Sequence, residues 1–232
     1  MHSKRSGVWI ALGIIGAWLF CFIRGVFGPH PSSRPIESVF LVIASAFLFT
    51  GLFITAHDAM HGTLDPSNRK LNNAIGTVAV LFYALFPFSK LKTEHFLHHR
   101  APASQRDPDF HSGQPGFWHW YWNFVTHYVS FAQFAVIVLA AQIPIHGWGV
   151  SPVNVYAFWV LPSFASTLQL FYFGTYLPHR EKGGYADENK ARSLRFSKTI
   201  SFLTCYHFSG YHLEHHRYPH VPWWGLPRTR DR

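Results

Sequence analysis

Charged residues are scarce in this chain of 232 residues. Only 13% of them are Asp, Glu, Lys or Arg, whereas 48% are hydrophobic. From Phe110 to Pro178 the chain carries no charged side chain other than any protonated histidine. A soluble protein rarely hides so long a stretch from water, so the composition excludes an ordinary soluble domain and favours an integral membrane protein.

Cysteine is almost absent as well. Cys21 lies in an apolar run and Cys205 lies near the histidine-rich C-terminal part of the chain. Two isolated cysteines exclude a disulfide framework, and neither has the neighbours of a thiolate metal site. Both are therefore interpreted as structural.

Long hydrophobic runs are plentiful, while strand patterns are weak throughout. Five apolar segments cover roughly 7–27, 36–56, 71–89, 128–146 and 153–177. Each approaches the ~20 residues that cross a bilayer as a helix. The first has no small-residue cleavage pattern before Arg24, so we interpret it as a retained helix rather than a signal peptide. These features predict an all-α membrane protein, with residues 1–232 forming a single domain.

The basic residues indicate an orientation. If every segment except 71–89 crosses the membrane, all but two of the 20 lysines and arginines lie on one side, the exceptions being Arg24 and Arg34. The positive-inside rule makes that side cytoplasmic. The predicted fold is a bundle of four spanning helices plus a re-entrant or interfacial segment, with a cytoplasmic histidine-rich cap. Topology accounts for the net charge of +9, although attraction for an acidic partner or anionic lipid is an alternative reason.

Histidine, in contrast, is abundant, with 17 copies. Three clusters stand out: "HDAMH" with His57 and His61, "HFLHH" with His95, His98 and His99, and "HLEHH" with His212, His215 and His216. Positions i, i+3 and i+4 share one helical face, so we expect each cluster to aim its imidazoles at one point. Neutral imidazole is a good ligand for iron, zinc or copper. Packing alone does not account for eight histidines at helical spacing.

The three clusters follow the second, third and fifth apolar segments. If all five segments crossed, the second cluster would face the opposite side from the first. A shared site therefore requires segment 71–89, with Pro87 near its end, to return to the side from which it came. The charge distribution favours the same topology, so we expect the clusters to meet on the cytoplasmic side.

Eight ligands are too many for one metal, since tetrahedral zinc needs four. The zinc-protease pattern HExxH is absent, because the glutamate of "HLEHH" is Glu214. Eight or nine nitrogen ligands suit two metals, and iron is the natural choice for oxygen chemistry. We predict His179, where the fifth segment ends, as the ninth ligand. His207 competes for that role, but it lies five residues before His212 and off its ligand face, so we predict that it supports the ligands by a hydrogen bond.

Carboxylates are expected around such a site, because a metal-bound imidazole usually donates its other N–H to a carboxylate or a carbonyl. Four are available: Asp58, Asp107, Asp109 and Glu214. Among the four, we expect Asp109 above all to accept such a hydrogen bond. We also expect the polar stretch after "HFLHH" to fold back over the site. Loop capping, or pairing with Arg100 and Arg106, is the alternative role.

At these residues the sequence resembles the membrane di-iron oxygenases related to fatty-acid desaturases and, more narrowly, the bacterial β-carotene ketolases. The resemblance runs from about Phe40 to the end of the chain. Its motifs are "HDAMHG" (57–62), "HRAPASQRDPDFH" (99–111), "FGTYLPH" (173–179) and "TCYHFSGYHLEHHRYPHVPWWGLP" (204–227). HxxHH marks only the superfamily, whereas "EHHRYPHVPWW" (214–224) points to the ketolases.

The resemblance implies an enzyme of a bacterial inner membrane that uses two irons, O2 and an external electron donor, typically ferredoxin. It implies oxidation of the C4 methylene of a β-ionone ring to a ketone, so that β-carotene becomes echinenone and then canthaxanthin, and zeaxanthin becomes astaxanthin. The resemblance implies that the family's ligands fall on the eight clustered histidines and that the ninth falls on His179. Carotenoid, electron donor and membrane lipid are the expected partners, and nucleic acid is not.

Three alternatives stay open from the residues. An acyl-chain desaturase or hydroxylase would have matching metal chemistry, and a carotenoid 3-hydroxylase would insert one oxygen and stop. A metal transporter would place its ligands near the middle of the bilayer, whereas these clusters flank the segments on one side. The aromatic stretches 117–124 and 171–173 are expected to line a tunnel for a polyene, although membrane interfaces are rich in Trp and Tyr in any case.

Overall fold

A computed structural model describes residues 6–181, 183–185 and 187–230 of this chain. Within these ranges the regular structure is entirely helical, which confirms the all-α prediction. Four residues counted in the charge argument lie outside the described ranges: Lys4, Arg5, Lys182 and Arg232.

Helices α1 (Ser6–Val26) and α2 (Pro35–His61) form an antiparallel pair, and each is long and apolar enough to cross a membrane. Arg34 stabilises their connection, because its guanidinium donates to carbonyl oxygens at the end of α1. Helix α2 ends at His61 and is capped by Gly62, whose φ of 76° lies in the left-handed region that glycine tolerates best. The first histidine cluster therefore occupies the last two turns of α2.

Helices α3 (Arg69–Ala84) and α4 (Phe88–Arg100) meet at a bend of 97°. A Cβ atom at Gly76 would lie 2.3 Å from the Phe88 ring, so only glycine allows the two helices to pack this closely. This bend turns the third apolar segment through about a right angle.

Both outer ends of the α3–α4 pair lie at the histidine end of α2. Near the start of α3, the Asn72 side chain accepts from the backbone N–H of Leu64, at 3.1 Å. In α4, the rings of His95 and His57 lie 4.4 Å apart between centroids. The chain thus returns to the end of the bundle from which it started, as expected for a segment that does not cross.

Helices α5 (Phe117–Tyr128) and α6 (Phe131–Gln142) meet at a second bend, of 83°. Helix α6 continues into a π-helical turn, Ile143–Gly147. It reaches the far end of the bundle, where the Trp148 ring lies 5.8 Å from that of Phe27. Either bent pair is apolar enough to count as a broken span, so the chain has two helices that pass the test for a membrane span and up to four if both pairs are included.

The long helix 152–179 runs beside α2 and in the same direction. It consists of α-helical and π-helical pieces: Pro152–Val155, Tyr156–Val160, Leu161–Leu170, Phe171–Tyr176 and Leu177–His179. Pro162 and Pro178 cannot donate to the carbonyls four residues earlier, and each of those carbonyls lies in a π-helical piece. At mid-length, the Ser166 and Thr50 hydroxyls lie 3.0 Å apart.

Two short helices, Lys198–Cys205 and His212–Arg217, complete the histidine end. Aromatic packing anchors this segment to the bundle, because Tyr206 stacks on Phe47 of α2 at 4.5 Å between centroids. The third histidine cluster is thereby brought over the ends of α2, α4 and the long helix.

Candidate metal centre

Nine histidines converge at one end of the bundle, in two groups. The five-histidine group consists of His57, His61, His95, His99 and His215, and the four-histidine group of His98, His179, His212 and His216. In each group, one ring nitrogen from every member lies within 4.8 Å of the others. These nine are the residues that the sequence proposed as ligands.

The two HxxHH clusters do not each aim at one point, so that expectation was wrong. In "HFLHH", His95 and His99 join the five-histidine group while His98 joins the other. In "HLEHH", His212 and His216 join the four-histidine group while His215 joins the five-histidine one. The physical reason is the helical turn of about 100° per residue, which makes i and i+4 near neighbours and rotates the i+3 side chain to one side of them.

The Nε2 atoms of eight of the nine rings, all except His57, face one another across short distances. In the five-histidine group, the Nε2 atoms of His61 and His95 are 2.7 Å apart. In the other group, His179 and His212 approach to 2.8 Å. Such contacts bring several nitrogen lone pairs to a shared centre, which is what a bound cation requires.

Two hydrogen bonds determine how rings of the four-histidine group are protonated. The Nδ1 atom of His179 lies 2.9 Å from the carbonyl oxygen of Lys190, which can only accept. The Nδ1 atom of His98 lies 2.9 Å from a carboxylate oxygen of Asp107. Both rings therefore carry their proton on Nδ1, and their Nε2 lone pairs point into the group. This donor set fits a transition-metal ion such as iron, copper or zinc.

Burial keeps the imidazoles of helix His212–Arg217 neutral, whereas at His98 the hydrogen bond to Asp107 and the nearby carboxylate charges outweigh burial and raise the pKa. Burial first, and the neighbouring imidazoles second, hold the pKa of His215 and His216 well below the usual histidine range. All four residues of the four-histidine group are buried, whereas His61, His95 and His99 are half-buried. Neutral imidazoles in a water-poor site are ready to bind metal without first losing a proton.

Asp107, rather than Asp109, contacts a histidine of the site directly. Besides binding His98, its carboxylate accepts from the backbone N–H of Ala103 at 2.8 Å. Burial alone would raise the pKa of Asp107, but the hydrogen bond and charge of His98 outweigh it and lower the pKa. The preference for Asp109 was thus misplaced. Its nearest carboxylate oxygen is 3.7 Å from His98, and its other oxygen accepts from the Tyr128 hydroxyl at 2.5 Å.

The two remaining carboxylates have other partners. Asp58 accepts from the backbone N–H of Trp223 at 3.1 Å, and it lies 3.6 Å from the Nδ1 atom of His57. Glu214 forms an ion pair with Arg230 at 3.1 Å. Asp58 therefore positions the C-terminal segment, and Glu214 faces away from the histidines.

His207 lies outside both groups. Its ring contacts the aromatic rings of Phe202, Tyr211 and Trp223, and its Nδ1 atom is buried without a hydrogen-bond partner among the described residues. The alternative between His179 and His207 is thus resolved in position, because His179 belongs to the four-histidine group. His127 pairs with Glu94 at 3.1 Å and belongs to neither group.

A cavity of about 1260 Å³ opens directly onto the histidines. Its walls are formed mainly by apolar side chains of α3, α5, α6 and the long helix. Tyr121, Trp122 and Phe124 line it, as expected for the aromatic stretch 117–124. Phe171 instead packs against Trp120. The stretch 171–173 therefore does not line the cavity as predicted.

Sequence reasoning missed two contributors to the site. The Lys190 carbonyl is a backbone group, so no side-chain pattern signals it. Gly174 lines the cavity with nothing within 4 Å of the place where a Cβ would stand. Gly174 lies within the π-helical piece Phe171–Tyr176, four residues before Pro178, and this spacing is the sequence signal that could have identified it.

Comparison with known families identifies the family of this chain. A family model described as fatty acid desaturase matches residues 36–145 and 127–232. The two matches together cover more than half of the chain, including all nine histidines of the site.

Curated relatives indicate a narrower group within this family. A beta-carotene ketolase of Paracoccus sp. (strain N81106 / MBIC 01143) is 39% identical over 95% of this chain and 90% of its own length. A beta-carotene 4-ketolase 3 of Haematococcus lacustris is 38% identical over 98% of this chain and 80% of its own. A zeaxanthin 4-ketolase of Chlamydomonas reinhardtii is 37% identical over 99% of this chain and 54% of its own.

Proposed function

The chain belongs to the fatty acid desaturase family and within it to the β-carotene ketolases, and from this premise we propose that it is a membrane-bound carotenoid 4-ketolase with two irons. It converts the C4 methylene of a β-ionone ring to a ketone. The observation that carries the proposal is an apolar cavity of about 1260 Å³ that ends on the nine histidines. β-Carotene, which has no polar group, suits such walls.

We assign the nine histidines as the ligands of the two irons. The five-histidine group holds one ion and the four-histidine group holds the other. The all-imidazole donor set and the inward lone pairs of His98 and His179 support this assignment. When bound, the irons supply the activation of O2.

The chain itself positions the substrate ring and excludes water from it. The apolar walls hold the ring so that C4, and not another oxidisable carbon, faces the histidines, and they keep water away from the reacting carbon. C4 is allylic, which makes its C–H bond the weak one at that end of the substrate. Oxidation twice at the same carbon gives a gem-diol, which loses water to form the ketone.

Each oxidation of C4 consumes one O2, two electrons and two protons, and it releases one water. An external electron donor is therefore required, and we propose a ferredoxin-type protein. A cleft of about 460 Å³ beside helix His212–Arg217 supports a basic docking place, since Arg192 and Arg195 line it together with the Glu214–Arg230 ion pair. Opposite charges speed such an encounter.

We propose four crossings, formed by α1, α2, α6 and the long helix, with the histidines on the cytoplasmic face of a bacterial inner membrane. The return of α3–α4 to the histidine end supports this topology. Reporter fusions after Ser67, Gly113 and Gly184 should all give cytoplasmic signals, and one after Gly149 the opposite. A Gly113 fusion on the far side would exclude it.

Expression in cells that accumulate β-carotene, followed by pigment chromatography, tests the activity. Echinenone and canthaxanthin should accumulate. Pigments hydroxylated only at C3 would indicate a 3-hydroxylase, and unchanged pigment with altered fatty acids would indicate a desaturase.

A further inference from the structure

The cavity is elongated, and one face of the long helix follows its length. Six residues on that face line it: Tyr156, Val160, Ser163, Thr167, Leu170 and Gly174. They recur at steps of three and four residues, as one side of a helix must. On the opposite wall, Phe134, Val138 and Ala141 of α6 repeat the pattern. The cavity is therefore a channel parallel to the helices rather than a pocket at the histidines alone.

The length of this channel follows from the helix. From Gly174 to Tyr156 the axis rises roughly 27 Å at ~1.5 Å per residue. That is close to the ~30 Å of a bilayer's hydrocarbon core. An extended carotenoid, which carries a ring at each end of a stiff polyene, is a molecule of this kind of length.

The two ends of the channel differ in chemistry. One end has His57, His212 and His215 in its wall. The other is lined by Gln142, Tyr156 and Trp159, near the far end of the bundle. Within the described residues, the candidate metal ligands lie at the first end alone.

We propose that the carotenoid lies along this face with its second ring in a distal subsite formed by Gln142, Tyr156 and Trp159, so that one ring is oxidised per binding event. The inference rests on the proposed ketolase function. A stiff polyene cannot turn round inside a channel between packed helices. The monoketone must therefore leave and re-enter end for end before the second ring reaches the histidines, and it then places its new carbonyl beside the amide of Gln142 and the hydroxyl of Tyr156.

A pulse–chase experiment with the wild-type enzyme in membranes tests the release step. Labelled β-carotene is converted briefly, and a large excess of unlabelled β-carotene is then added. The label should stay in echinenone, because the released monoketone is outcompeted. Label that continues into canthaxanthin at the unchased rate would overturn the inference.

A bulky side chain at mid-channel tests the binding pose. Ser163 lies roughly 16 Å along the helix from Gly174, so Ser163→Trp should block β-carotene but leave room for retinol, which carries the same ring on about half the length. Turnover of β-carotene should fall by ~100-fold, as expected for a misplaced reacting atom, while turnover of retinol changes little. Leu161→Trp is the matched control, because Leu161 is 54% exposed and does not line the channel.

Val138→Trp blocks the channel from the opposite wall, so the test remains valid if the Ser163 variant fails to fold. A selective loss of β-carotene turnover in either variant supports the pose. Equal losses on both substrates in both variants, or no loss in either, overturn it. A wild-type enzyme that makes no ketone from either substrate would instead refute the proposed function.

Discussion

The two histidine groups have the same ligand chemistry but are held differently. In the four-histidine group every ring is buried, and two rings are fixed through Nδ1 by Asp107 and the Lys190 carbonyl. In the five-histidine group three of the rings are half-buried, and the Nδ1 atoms of His57 and His215 have no hydrogen-bond partner among the described residues, which is also true of His212 and His216 in the four-histidine group. The groups therefore differ in the burial of their rings and in the two Nδ1 hydrogen bonds that, among the described residues, only the four-histidine group has.

A repeated motif therefore need not form two equal sites. The same HxxHH pattern supplies two rings to one group and one ring to the other, in opposite senses for the two clusters. The partners beyond the rings then distinguish the groups, because hydrogen-bonded imidazoles are better oriented and more basic ligands. We therefore expect the four-histidine group to hold its metal more firmly.

Removing one ring from either group should have the largest effect, and it would abolish any functional difference between them. His98→Ala, His99→Ala and His215→Ala should each end ketone formation, since alanine offers no ligand, while folded protein remains in the membrane. Pigment chromatography and iron content of the purified chain measure this, with His127→Ala as the mild control. Wild-type protein with one zinc and no iron would refute the iron assignment.

Weakening a hydrogen bond to the four-histidine group should reduce activity without removing a ligand. Asp107→Asn leaves a neutral amide beside His98, and we expect a loss of ~10–100-fold in activity or metal affinity, typical for such partners. Asp109→Asn should cost less, because its carboxylate bonds Tyr128 rather than a histidine. Equal losses in the two variants would mean that the direct contact with His98 does not decide the effect.

The two histidine groups should lose their metal at different rates. With a chelator in excess, we expect iron to leave in two phases, with the half-buried five-histidine group emptying first. Asp107→Asn should accelerate the slow phase and leave the fast one unchanged. Iron content and iron spectroscopy over time follow both phases, and a single phase in the wild type would contradict the ranking.

The smallest effect is expected at His207, which lies outside both groups. His207→Phe preserves an aromatic ring among Phe202, Tyr211 and Trp223, so we expect activity to fall only slightly and iron content to stay the same. Total loss with a missing iron would instead make His207 the ninth ligand and demote His179. Iron per chain decides between the two residues.

Much of the fold could be predicted because its signals are local. Apolar runs of about 20 residues predict helices. The histidines at 57–61, 95–99 and 212–216 are spaced three and four residues apart, which also predicts helices. The return of α3–α4 was also predictable, since charge and cluster position both required it. The angle of that bend, the second bend of 83° and the π-helical pieces were not foreseen, because they depend on proline and on close contacts such as Gly76 with Phe88.

The eight clustered histidines and the family to which they belong follow from the sequence alone, because ligand identity and helical spacing are properties of neighbouring residues. The packing of the helices was needed to show that His179 rather than His207 joins them, how the nine divide, that Asp107 rather than Asp109 contacts His98 directly, and that a channel runs from the histidines along the long helix. Those features join residues far apart in the chain. Their positions follow from how whole helices pack, which no local pattern records.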